Sequence, residues 1–148
     1  MKTLVTYQSK TGFTKKYAEW ISEELNSDLK EIKQVSEKDI ANYDIVIHGG
    51  WIMGGVINGF NKIMKLNPKK LIVFGVGYTP KDKVDIEQLK QANNLGETPF
   101  FYYEGGTNPK EMGFMGRTIV KMVTKEEVTF KDNTDKNAIA KLIEAVSE

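Results

Sequence analysis

The chain has no cysteine among its 148 residues, which excludes disulfides, thiolate catalysis and iron–sulfur ligation. It has one histidine, so a structural zinc site would lack its usual ligands. No apolar run approaches the roughly 20 residues needed to span a bilayer. The opening Met1-Lys2-Thr3-Leu4-Val5 lacks the apolar stretch and cleavage site of a signal peptide, so the expected location is cytoplasmic. An excess of one charge is missing too: 21 basic and 20 acidic residues leave a net charge of +1. The lysines are mixed with Glu and Asp, and no basic stripe is interleaved with aromatics, so nucleic acid is not the expected partner.

A composition that is 40% hydrophobic and 28% charged suits a globular protein with a true core. The length suits one domain over residues 1–148, since domains typically run to about 100–200 residues. Leu4-Val5-Thr6-Tyr7 reads as a short strand. Tyr17, Ala18, Ile21 and Leu25 then recur at helical spacing and predict an amphipathic helix over 14–26, with Trp20 at the edge of its stripe. Leu29 to Val35 alternates apolar and charged residues, as an edge or half-buried strand would.

Asp44-Ile45-Val46-Ile47-His48, ending at Gly49-Gly50, and Leu71-Ile72-Val73-Phe74-Gly75-Val76 are nearly continuous apolar runs. Such runs suit central parallel strands covered on both faces. Pro99 to Tyr103 supplies a fifth, aromatic strand. Helical patterns lie between the strands: Ile57, Phe60, Ile63 and Met64; then Ile86 and Leu89; then Met115, Ile119, Met122 and Val123. A last helix carries Ile139, Leu142, Ile143 and Val146 behind a cap at Thr134 or Asp135. Strands alternating with helices imply parallel βαβ units in a doubly wound α/β domain.

In such a sheet ligands bind at the carboxyl ends of the strands. Ser9-Lys10-Thr11-Gly12-Phe13-Thr14 sits there, between the first strand and the first helix. The unpaired N–H groups of a helix start favour a phosphate. Ser9, Thr11 and Thr14 add three hydroxyls, and Gly12 lets the backbone wrap closely. A plain helix cap with incidental Ser and Thr residues is the other reading of the same loop. Rival phosphate motifs fail. Gly54 and Gly59 have Walker spacing, but Phe60 stands where lysine is required; Gly75-Val76-Gly77 is followed by Tyr-Thr-Pro and not by the rest of a dinucleotide fingerprint. His48 ends a buried strand and reads as a hydrogen-bonded core residue more than as a catalyst.

The six-residue loop resembles the flavodoxin phosphate loop, Ser/Thr-x-Thr-Gly-x-Thr, at each specified position, and the element order resembles a short-chain flavodoxin. The resemblance implies a flavodoxin-like three-layer sandwich: a five-stranded parallel sheet in the order 2-1-3-4-5 with helices on both faces. It also implies non-covalent FMN, electron transfer, and a flavin ring between the loops after strands three and four. Those loops are Gly49-Gly50-Trp51-Ile52-Met53-Gly54-Gly55 and Gly77-Tyr78-Thr79-Pro80. Trp51 and Tyr78 either flank the ring or serve as a core cap and a turn residue; Gly50 and Gly54 would permit the close backbone approach and peptide flip that flavodoxins use at the flavin N5 edge. Ile52, Met53, Gly77 and Thr79 complete the implied contacts.

Flavodoxins are typically acidic, and this chain is not. Lys10, Lys15 and Lys16 flank the first loop, residues 49–59 carry no charge, and the third loop has Lys81, Asp82 and Lys83. Positive charge near a flavin favours its anionic reduced form, which implies a midpoint potential less negative than in an acidic carrier. The same lysines suit an acidic redox protein or a small anionic substrate.

A second resemblance lies in Tyr103-Glu104-Gly105-Gly106 and Phe114-Met115-Gly116-Arg117-Thr118-Ile119-Val120-Lys121-Met122, which are similar to menaquinone-dependent protoporphyrinogen oxidases. It implies a quinone-linked FMN oxidoreductase. Met112, Phe114 and Met115, beside Arg117, Lys121 and Lys125, would form an apolar mouth for a quinone or a peripheral membrane contact, or else simply pack in the core. No acid–base residue carries over from that family. A magnesium-dependent receiver module on this fold needs acidic clusters after strands one and three, where Gln8-Ser9 and His48-Gly49-Gly50 stand instead. A flavin-less interaction domain remains the other class. The expected oligomeric state is a monomer or a weak dimer.

Overall fold

In the computed structural model, the residues described are 1–110, 118, 121, 122 and 129–147. Strand β1 (Thr3–Gln8) leads through the Ser9–Gly12 loop into helix α1 (Phe13–Leu25), which ends at Asn26 in a left-handed conformation. Strand β2 (Asp28–Glu31) lies parallel to β1 and forms one sheet edge. Strand β3 (Ile45–Met53) pairs parallel with β1 on one side and with β5 (Leu71–Gly77) on the other. Strand β6 (Phe100–Glu104) closes the row, giving the order β2-β1-β3-β5-β6. This is the expected 2-1-3-4-5 arrangement, with a short antiparallel strand β4 (Val56–Ile57) added to β3.

Alternation along the central strands explains the unbroken apolar runs. Val5, Ile45, Ile47, Ile72 and Phe74 face one way and pack against Tyr17, Ala18 and Ile21 of α1. Ile139, Leu142 and Val146, from a final 3-10 turn and helix α5 (Ala140–Val146), join that layer. Leu4, Val46 and Val73 face the other way, against Ile40 of α2 (Glu37–Ile40) and Phe60 and Ile63 of α3 (Phe60–Lys65). Both faces are covered, so both registers of each strand must be apolar.

Several boundaries differ from the sequence expectation. Residues 29–35 are not one strand: β2 stops at Glu31 and a 3-10 turn covers Ile32–Gln34. That turn brings Ile32 and Val35 into the core together, at 3% and 5% exposure, whereas period-two alternation would send them to opposite faces. Ile57 belongs to β4 and not to a helix, and Met64 is exposed on α3. Asp135, the second of the two caps considered, accepts from the Asn137 N–H at 3.0 Å. Strand β8 (Lys131–Asp132), which the sequence does not announce, pairs antiparallel with β7 (Gly106–Thr107). The Lys16–Asp132 ion pair, at 2.7 Å, ties that strand pair to α1. The residues assigned to a quinone or membrane mouth (Met112, Phe114, Met115, Arg117 and Lys125), with Gly116, Ile119, Val120 and Val123 around them, lie outside the described residues. Met122 is described and is exposed. No helix among the described residues is long and apolar enough to cross a membrane.

His48 is a core residue. It is fully buried in β3, with Nδ1 2.9 Å from Thr6 Oγ1 of β1 and Nε2 2.9 Å from the carbonyl oxygen of Asn58. A carbonyl can only accept, so Nε2 carries the proton and Nδ1 accepts from the threonine hydroxyl. Burial lowers the imidazole pKa from 6.5 to about 4, against a smaller opposing effect of the Asn58 hydrogen bond. The unfolded chain therefore takes up this proton first as pH falls. The stabilisation is complete above about pH 6.5 and is lost as pH drops towards 4. Wild-type protein should lose about 2 kcal/mol between pH 7 and pH 5 from this group, and His48→Gln, although less stable at pH 7, should show a flatter profile in that window. Urea unfolding at both pH values checks this; an equal slope in wild type and variant would remove His48 as the cause.

Candidate functional site

Parallel pairing gathers the carboxyl ends of β1, β3, β5 and β6 at a single edge. Helix α1 starts there without a side-chain cap: its N-cap is Gly12, at φ 94°, and the first helical bond runs from the Lys16 N–H to the Gly12 carbonyl at 3.0 Å. The N–H groups of Phe13, Thr14 and Lys15 thus have no acceptor within the helix, and a 13-residue helix adds its positive dipole end. Ser9 Oγ accepts from the Gly12 N–H at 3.1 Å and holds the loop closed on itself.

Beside this helix start lies a cavity of about 370 Å³, within the roughly 300–1,000 Å³ of small-molecule sites. Lys10, Thr11, Phe13 and Thr14 form one wall. The tip of β3 and its turn, Trp51 to Gly55, form the second, and Gly77, Tyr78 and Thr79 after β5 form the third. Val76, Val84, Leu89 and Tyr102 make an apolar floor, and Gly105, Gly106 and Thr107 close the end next to Phe13. Thr11, Thr14 and the free amides thus stand on one wall, and the aromatic side chains of Trp51 and Tyr78 belong to the other two. Hydroxyl and amide donors, with no carboxylate among the described lining residues, are the right chemistry for a dianion.

Hydrogen bonds fix the walls. Strand β3 does not end at Gly49 but continues to Met53, correcting the open loop expected over 49–55. The chain reverses through Gly54 and Gly55, at φ 57° and 81°, the positive pair that a tight hairpin turn requires. Asn58 donates twice to the Trp51 carbonyl, from its backbone N–H at 3.0 Å and from Nδ2 at 2.9 Å. Asn93, after α4 (Ile86–Ala92), accepts from the Ile57 N–H at 2.9 Å and donates to the Gly55 and Leu89 carbonyls at 2.8 Å. Across the cavity, the Tyr102 hydroxyl donates to the Thr79 carbonyl at 2.6 Å, and burial chiefly raises its pKa to about 12. It is a fixed strut, neutral at any physiological pH.

Among the described residues that line the cavity Lys10 is the one charged side chain. Its Nζ stands 5.6 Å from the centre of the Trp51 ring, in the range of a cation–π contact.

Of the residues singled out from sequence, Lys10, Thr11, Phe13, Thr14, Trp51, Ile52, Met53, Gly54, Gly77, Tyr78 and Thr79 meet around this one cavity. Ser9, Gly12 and Gly50 do not line it. Gly50 is buried inside β3, and a Cβ there would collide with the Asn58 carbonyl oxygen, so its smallness serves the hairpin. Val84, Leu89, Tyr102, Thr107 and the anchor Asn93 were missed. Gly105-Gly106 after the aromatic strand was the only local hint of that end of the site.

The family model described as Flavodoxin domain matches residues 4–135. The flavodoxin-like domain-containing protein BilS of Clostridioides difficile is 40% identical over 82 residues, covering 51% of this chain and 46% of that protein. An uncharacterized protein of Methanocaldococcus jannaschii is 36% identical over 84 residues, covering 53% of this chain and 56% of that one. The chain thus matches about half the length of these curated relatives. Among solved structures, oxidised Flavodoxin 2 from Bacillus cereus superposes with a TM-score of 0.54 at 22% identity, over 70% of this chain and 84% of its own. Oxidised Flavodoxin 1 from the same organism gives 0.53 at 16% identity, over 86% and 100%. At these identities the two structures speak for the shared fold.

Asn93→Ala would leave the buried Ile57 N–H and the half-buried Gly55 carbonyl without this partner. The expected cost is about 1–3 kcal/mol, with faster amide exchange at Ile57 than in wild type. Exchange unchanged at Ile57 would show that the hairpin does not depend on this anchor.

Proposed function

The chain belongs to the flavodoxin domain family, with FMN as its cofactor, and we propose that it is an electron-transfer protein that works through this bound flavin. The observation that carries the reading is the single cavity joining an uncapped helix start to two aromatic side chains. The chemistry the cofactor supplies when bound is the reversible uptake of electrons by its ring. The protein's own part is to bind, orient and tune. Thr11, Thr14 and the first-turn amides of α1 would hold the phosphate; Trp51 and Tyr78 would flank the ring on walls fixed by Asn58, Asn93 and Tyr102. The floor of Val76, Val84 and Leu89 keeps water away from the buried side. Lys10 stabilises negative charge gained on reduction, and among the described residues no lining carboxylate opposes it. Cytoplasmic residence is part of the same reading.

Purified protein should be yellow, with a flavin absorbance spectrum and FMN identified by mass after release. Colourless protein that takes up no added FMN would contradict the proposal. Thr11→Ala and Thr14→Ala should each weaken FMN binding by about tenfold or more, since hydrogen bonds to charged groups contribute roughly 1.5–3 kcal/mol. Unchanged dissociation constants in a fluorescence titration would show that the phosphate lies elsewhere.

Lys10→Gln should lower the midpoint potential by on the order of tens of millivolts. Spectroelectrochemistry measures this directly, and an equal or raised potential would remove Lys10 as the tuning charge.

A further inference from the structure

We propose that a second, smaller cavity, between β6 and the final 3-10 turn, binds the ammonium or guanidinium head of a longer molecule. It holds about 150 Å³, well below the roughly 300–1,000 Å³ of whole small-molecule sites. Such a space admits a head group and leaves the rest of the ligand outside. Tyr17 of α1, Tyr103 and Glu104 of β6, Asp135 and Lys81 are among the residues that line it. Tyr102 is the one lining residue it shares with the larger cavity, and the inference does not depend on the flavin reading.

Tyr103 is the residue that points to a ligand. It is 3% exposed, and its hydroxyl has no hydrogen-bond partner among the described residues, whereas a buried phenol ordinarily finds one. Its ring stacks on Tyr17 at 4.7 Å, with 21° between the planes. Burial raises the Tyr103 pKa, and the Tyr17 hydroxyl is near enough to raise it further. The Tyr17 hydroxyl is itself fully engaged: it donates to the Glu104 carbonyl at 2.6 Å and accepts from the Asp135 N–H at 3.0 Å. The unpaired Tyr103 oxygen thus stands beside the junction of these two segments, with lone pairs to spare.

The charge around that junction is negative. The carboxylates of Glu104 and Asp135 line the cavity against the single ammonium of Lys81, which is exposed to solvent. Glu104 is half-buried and has no ion pair among the described residues. Burial, partly offset by the Asp135 N–H, pushes the Tyr17 pKa up to about 12, and the carboxylates of Asp135, Glu104 and Asp132 all add to the rise. Their fields therefore converge on the tyrosine hydroxyls. An anion would be repelled here, and an uncharged group would gain little from the carboxylates. A nitrogen cation gains on each count: carboxylates and a phenol oxygen accept its N–H bonds, and aromatic rings attract its charge.

The test titrates isotope-labelled protein, with and without FMN, and reads NMR shifts of the Glu104, Asp135 and Asn137 amides and of the tyrosine rings. Methylguanidinium is the probe, urea its uncharged counterpart, and acetate the ion of opposite charge. The expected result is saturable shifts with methylguanidinium, binding weaker by about tenfold or more with urea, and none with acetate. Glu104→Gln should weaken methylguanidinium binding by about tenfold, and Tyr103→Phe by about threefold or more. Tyr103→Phe should also unfold at no lower urea concentration than wild type, because the hydroxyl it removes has no partner in the fold. Spermidine and a glycine–arginine–glycine peptide distinguish the sources of the head group: tighter binding of the first assigns a free polyamine, and of the second a protein side chain. Absence of saturable shifts, urea binding as tightly as methylguanidinium, or a Tyr103→Phe variant that loses stability and binds unchanged would each overturn the proposal. The FMN absorbance of the same samples keeps the two ideas apart: colourless protein that still binds methylguanidinium contradicts the flavin reading and leaves this site standing.

Discussion

Helix α1 begins without a side chain to cap it, and it does so at the one edge where all the parallel strands point their carboxyl ends. Everything functional about the molecule follows from that placement. Parallel pairing forces each strand to be followed by a crossover, so the loops that leave β1, β3 and β5 must lie side by side. A capped helix in this position would be self-sufficient. An uncapped one, flanked by Thr11 and Thr14, has donors to spare, and a dianion satisfies them better than water does.

A phosphate anchor alone would tether a flavin without orienting it. Orientation depends on how stiffly Trp51 and Tyr78 are held, and both are fixed through the core. The Trp51 carbonyl is held by Asn58, whose own carbonyl accepts from fully buried His48, whose ring reaches Thr6 on β1. The chain of bonds runs from the second strand of the order to the cavity wall. Asn93 secures the far side of the same hairpin from α4. Tyr102 fixes the loop carrying Tyr78 through the Thr79 carbonyl. Buried polar groups of this kind cost stability when incompletely paired; here they are paired, and each pairing ends at a wall of the site.

Much of this was legible in the residues. The alternation of apolar runs and helical periods gave the parallel βαβ build, and Ser9–Thr14 located the helix start, because both are local signals; the strand order came from the family resemblance that the loop carries. What escaped was set by distant partners. Gly49 and Gly50 look like a loop, yet β3 runs through them because the Phe74 ring and the Asn58 carbonyl fill the spaces their side chains would need. Tyr102, Val84 and Leu89 reach the cavity from segments whose own patterns say only strand and helix. Asn93 resembles any polar residue at a helix end until the hairpin it holds, some 36 positions earlier for Ile57, is brought beside it. Strand β8 has two exposed residues and no periodicity to betray it.

The central claim is that the phosphate, gripped by the first turn of α1, anchors the flavin. Calorimetry comparing FMN with riboflavin, which has the same ring and no phosphate, tests it most directly. The expected result is FMN binding tighter by about 100-fold or more, the sum of two or more charge-assisted hydrogen bonds. Equal affinity for the two flavins would contradict it.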